Sequence, residues 1–157
     1  MNVSHLLQTP GDHALTLQGL AGTIEACLSV PETIASSKVA FIGHPHSLQG
    51  GTMNNKVVTT LAKTYKELGI PSLRFNFRGV GASEGVYDAG LGESEDMLHL
   101  VDTWRQELGD VPFIFAGFSF GSYVAYRAAS QTPGASLVTI APPVHHYDYH
   151  AFKPAPN

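Results

Sequence analysis

Five residues, Gly117-Phe118-Ser119-Phe120-Gly121, follow directly on the apolar run Val111-Pro112-Phe113-Ile114-Phe115-Ala116. Gly-x-Ser-x-Gly at the passage from a buried strand into a helix has a specific chemical use. The turn forces the serine into a strained backbone conformation, and the glycines leave room around it. The hydroxyl then stands at the carboxyl end of a sheet, with the backbone N–H of Phe120 aimed at the same point. That pairing suits a nucleophile with an oxyanion donor beside it. A serine hydroxyl is weak until a base takes its proton, so the pattern also asks for a histidine and a carboxylate. The tail offers His145, His146, Asp148 and His150, of which Asp148 and His150 are the acid and base candidates. His146, Asp148 and His150 would share one face of an extended segment, and His44 and His46 another, which invites a metal. No cysteine joins them, and a solvated tail is the simpler reading, so neither metal nor cofactor is expected.

The serine needs a sheet to hold it. Residues 14–20 and 22–30 read as strands, the second alternating as a strand near a sheet edge does. Val39 to Gly43 is a continuous apolar run, as in a parallel strand covered on both faces. After a loop from His44 to Met53, a helix capped by Asn54 or Asn55 carries Val57, Val58, Leu61, Tyr65 and Leu68 on one face and closes at Gly69. Pro71 to Phe77 is the next strand. A helix over 93–108 buries Met97, Val101, Trp104 and Leu108. The strand 111–116, a helix over 120–130 and a strand over 135–141 complete the order. Strands alternating with helices imply a mostly parallel sheet in a three-layer αβα sandwich. Sites in such sheets lie at the carboxyl ends of the strands, here the loops 44–53, 78–85 and 117–121.

The 157 residues suit one domain, spanning 1–157. Apolar residues are 43% and charged residues 14% of the chain, a globular composition. A net charge of −4 without any Lys/Arg stripe argues against nucleic acid. A single cysteine, Cys27, excludes a disulfide framework and fits a reducing compartment; it reads as a core residue. With neither a signal peptide pattern nor a run of transmembrane length, a cytoplasmic protein without membrane contact is expected.

Four pieces of the sequence, in order, resemble the α/β-hydrolase superfamily, and within it the small, lid-poor dienelactone-hydrolase-like or CocE/NonD-like bacterial hydrolases. They are His44 to Lys56, Arg74 to Gly85, Gly117 to Gly121, and Ala141-Pro142-Pro143. The resemblance covers residues 14–157 and implies hydrolysis of small-molecule ester or related acyl substrates by Ser119. It implies a second oxyanion N–H from the loop after the third strand, at His46 with Ser47 as its neighbour, and a bracing role for His44. In the family, later strands carry the catalytic acid and histidine. This sequence ends where the next strand would begin, so a C-terminally truncated fold is expected. An inactive binding module of the same fold is the alternative.

Arg78 has two readings, an anchor bonding backbone carbonyls of its turn or a contact for an acidic substrate group. Glu93, Glu95 and Asp96 open a helix, where its dipole favours negative charge. The aromatics Phe118, Phe120, Tyr123 and Tyr126 either line an acyl pocket or pack the sheet. The last strand, with Leu137, Val138 and Ile140, is expected to present an unpaired edge open to self-association or a complementing chain.

Overall fold

The computed structural model describes residues 2–150; His150 is thus its last described residue. Six strands form one sheet in the order β1-β2-β4-β3-β5-β6. They are β1 (Gly11–Gly19), β2 (Gly22–Val30), β3 (Val39–Gly43), β4 (Ser72–Phe75), β5 (Phe113–Phe118) and β6 (Ser136–Ile140). β1 and β2 form an antiparallel hairpin, and β2 meets β4 antiparallel. β4, β3, β5 and β6 run parallel. The helices are α1 (Val3–Leu6), α2 (Lys56–Glu67), α3 (Leu91–Leu108) and α4 (Phe120–Ser130).

The period-two alternation of the buried strands distributes side chains to two cores. Val39 and Phe41 of β3 face one core with Met97, Leu100, Val101 and Trp104 of α3 and Val124 and Ala128 of α4. Ala40 and Ile42 face the other, with Val58, Ala62 and Tyr65 of α2 and Ile114 and Ala116 of β5. Both faces of the sheet are therefore covered, and the three-layer αβα sandwich is as expected. Trp104 anchors the larger core, its ring edge-on to Phe41 at 5.3 Å. Cys27 is buried.

Several boundaries differ from the sequence reading. β4 stops at Phe75: Asn76 N–H still donates to the Glu25 carbonyl of β2, but Phe77 N–H leaves the sheet and donates to the His44 ring. β5 runs on through Gly117 and Phe118, which pair with Gly43 and Ile140. Leu68 lies beyond the last turn of α2 and is exposed. The short α1 had no sequence signal; it docks through buried Val3, whose N–H donates to Glu107 Oε2 at 2.6 Å. β6 is the last strand in the sheet order, paired on one side with β5, and Val138 on it is exposed.

Candidate active site

The loop after β3, the turn after β5 and the segment after β6 meet around Ser119, whereas the loop 78–85 packs against the β1–β2 hairpin and does not reach the cleft. The serine itself lies between β5 and α4 with φ 56° and ψ −120°, a conformation that L-residues rarely adopt. The flanking glycines are required by contact. A Cβ on Gly117 would meet the Gly121 carbonyl oxygen at 2.1 Å, and one on Gly121 the Gly43 carbonyl oxygen at 2.2 Å. Ser119 N–H donates to the Ile140 carbonyl at 2.8 Å, which ties the turn to the end of β6. Ser122, fully buried, donates its hydroxyl to the Gly117 carbonyl at 2.8 Å and lies 3.0 Å from the Ile140 carbonyl. The strained turn is thus fastened from both sides. Phe120 opens α4, where the first backbone N–H groups have no acceptor within the helix.

The loop after β3 is braced by His44. Its Nε2 accepts from Phe77 N–H at 3.0 Å, so the ring proton sits on Nδ1, 2.6 Å from the Pro45 carbonyl that accepts it. Burial pushes this imidazole down to about 4. Both ring nitrogens are thereby engaged in structure. His46 follows with its ring between Tyr87 and Phe120, centroids 5.0 and 4.9 Å away. Its Nδ1 accepts from Leu48 N–H at 3.2 Å, which leaves Nε2–H to donate to the Tyr87 hydroxyl at 3.1 Å.

The loop after β4 is held by polar groups that the sequence did not single out. Asn76 accepts from Met53 N–H at 2.8 Å and donates to Glu25. Buried Ser83 donates to the Asn76 carbonyl at 2.7 Å and accepts from Glu25 N–H at 2.9 Å. Their signal was faint: polar residues directly after a buried strand, beside glycines. Arg78 fits neither sequence reading. Its guanidinium bonds no turn carbonyl but grips the carboxylate of Asp96 through two parallel 2.8 Å bonds. Glu93, fully buried, accepts from Asp88 and Gly90 N–H and caps α3. Two of the three acidic residues at this helix start are therefore joined to specific partners.

Ser119, Phe120 and His46 line one cleft of about 530 Å³, together with Gln49, Pro143, His146 and Tyr147. Asp148 and His150, the acid and base candidates, do not line it. Asp148 lines a separate cavity with Tyr123, Tyr126 and Arg127, and its carboxylate accepts His150 N–H at 2.9 Å in a local turn. The cause is aromatic packing on α4. Tyr147 stacks on Tyr123 at 3.9 Å and Tyr149 lies against Tyr126 at 4.7 Å, so the segment follows the helix. His146 is the tail histidine at the cleft. A larger hollow of about 590 Å³ lies at the opposite end of the sheet, between the residues that enter β5 and β6; its one hydroxyl side chain, Thr132, donates to the Ala128 carbonyl at 3.0 Å. Among the described residues, no three His, Cys, Asp or Glu side chains converge as a metal site, and no helix is long and apolar enough to cross a membrane.

The lidless α/β serine hydrolase of Xanthomonas campestris has a similar structure, with a TM-score of 0.86 and 39% identity over 94% of this chain and 68% of that one. An α/β serine hydrolase homologue of Coxiella burnetii gives a TM-score of 0.82 and 43% identity, covering 92% of this chain and 68% of its own. An uncharacterized protein of Rickettsia prowazekii is 37% identical over 129 residues, which are 79% of this chain. The chain spans about half the length of that curated relative, 54%. A family profile described as alpha/beta hydrolase fold matches residues 45–154, more than half of the sequence. These residues hold all three segments around Ser119, and on that match the chain belongs to the α/β-hydrolase fold family.

Proposed function

We propose that the chain is a serine hydrolase unit acting on neutral ester or related acyl bonds, with Ser119 as nucleophile. The observation that carries this reading is Ser119 itself, a non-glycine residue held at φ 56° on the wall of a cleft of suitable size. Ser119 Oγ attacks the acyl carbon while its proton passes to a base. The carbonyl oxygen gains the negative charge, and the N–H groups of Phe120 and His46 donate to it. The helix dipole of α4 favours charge at the same place. Collapse of the tetrahedral species breaks the acyl C–O bond as the base returns its proton to the departing alcohol, and water then hydrolyses the acyl-serine ester to release the acid and restore Ser119. None of the seven lining residues is an aspartate, glutamate, lysine or arginine, which supports an uncharged acyl group beside the scissile bond.

The second reading, a non-catalytic module binding a ligand in the same cleft, draws on one observation. Among the described residues, Ser119 Oγ has no hydrogen-bond partner, so no imidazole is poised on it. Hydrolysis of p-nitrophenyl acetate and butyrate separates the readings. Turnover that falls to the buffer rate in Ser119→Ala supports the hydrolase. Equal rates in the two proteins contradict it and leave the binding module.

A further inference from the structure

Arg74 stands in β4, flanked by β2 and β3, opposite Cys27 on one side and Ile42 on the other. Such positions in a covered sheet are normally apolar. Its neighbours Leu73 and Phe75 are fully buried, whereas Arg74 is half-buried on the face that α2 covers. Among the described residues its guanidinium has no carboxylate within ion-pair distance. Nη1 reaches Ser29 Oγ only at 3.4 Å, the Asp12 carboxylate feels the guanidinium charge from beyond ion-pair distance, and Nε is buried without a partner. A guanidinium offers five N–H donors, and burying them without acceptors is unfavourable.

The same guanidinium borders a cavity of about 420 Å³ between α2 and the sheet. Lys63 and Lys66 line it from α2, and Asp12 and Glu67 are its acidic members. Lys66 lies 3.6 Å from Asp12; Lys63 has no ion pair among the described residues. Three cations (Lys63, Lys66, Arg74) against two carboxylates leave the lining one positive charge, in a chain whose net charge is −4.

We propose that this cavity binds a phosphate group, with the Arg74 guanidinium donating from the sheet and Lys63 and Lys66 supplying charge from α2. The planar fork of arginine matches phosphate oxygens, and lysines add point charges to the dianion. The cavity exceeds the volume of one phosphate, so inorganic phosphate and a small phosphate monoester share the chemistry. None of its lining residues lines the Ser119 cleft, and the site stands independently of the serine chemistry.

The test titrates the full chain with inorganic phosphate and with glycerol phosphate, against sodium chloride at matched ionic strength. The readouts are the Arg74 side-chain N–H resonance and the thermal midpoint. The expected result is a saturable shift with stabilisation, about tenfold weaker binding in Lys63→Gln, and loss of binding in Arg74→Gln. Lys63→Gln and Lys66→Gln, both on the helix surface, carry the test if Arg74→Gln does not fold. Tighter binding of glycerol phosphate assigns a phosphate ester, and equal binding assigns free phosphate; either supports the site. A response no larger than the salt control, or one equal in wild type and both lysine variants, overturns it.

Discussion

The α-carbon of Gly121 packs against the backbone of Gly43, so closely that a methyl group on Gly121 would lie 2.2 Å from the Gly43 carbonyl oxygen. This contact sets the first turn of α4 against the end of β3 and brings Ser119 beside the loop that carries His46. Backbone atoms on both sides leave nothing that can rotate away. Gly121→Ala is therefore expected to destabilise the chain by about 2–3 kcal/mol, read from urea unfolding. An unchanged midpoint would mean that the two segments are not this close.

Ser119 bears the backbone strain of the turn. At φ 56° and ψ −120° a glycine is relaxed and a serine is not. Ser119→Gly is expected to raise stability by about 1 kcal/mol while abolishing acyl chemistry. A destabilised Ser119→Gly, measured by the same unfolding, would show that the serine is held without strain.

Arg78 and Asp96 form the strongest ion pair in the site's scaffold, with Asp96 only 2% and Arg78 15% exposed. Removing one charge strands the other. Asp96→Asn is expected to destabilise by about 3 kcal/mol and to loosen the loop after β4, seen as faster amide exchange over residues 78–90. Arg78→Lys retains charge but not the two-bond grip, and is expected to fall between wild type and Asp96→Asn.

His44 makes stability depend on pH. Its folded value, about 4, lies below the ordinary 6.5 because burial disfavours the cation. The unfolded chain then binds the extra proton first. The stabilisation is complete above about pH 6.5 and is lost as pH falls toward 4, on the order of 3 kcal/mol in all. Protonating Nε2 would also set two donors, the ring and Phe77 N–H, against each other. Urea midpoints from pH 7 to pH 4 should fall, and the part due to His44 should vanish in His44→Gln. An equal fall in that variant would assign the effect elsewhere.

The legible parts of the fold were those written in continuous pattern. The apolar run Val39–Gly43 and the helix Phe120–Ser130 appear as read, and Asn55 caps α2 through Val57 and Val58 N–H. Illegible parts depended on partners distant in sequence. Gly117 reads as the start of a turn, yet it continues β5 because Gly43 pairs with it. Arg78 finds its partner on the next helix, and Ser122 fastens the turn to a strand that follows it. Asp148 and His150 are candidates by residue type and by their place after the last strand, and neither signal foresees that Tyr147 and Tyr149 lie along α4.

The central claim is that Ser119 is an activated nucleophile. It is tested most directly by the intact mass of the folded chain after treatment with a fluorophosphonate, alongside Ser119→Ala. The expected result is one adduct per chain, absent from the variant. A folded chain that stays unlabelled, or an adduct that persists in Ser119→Ala, would contradict it.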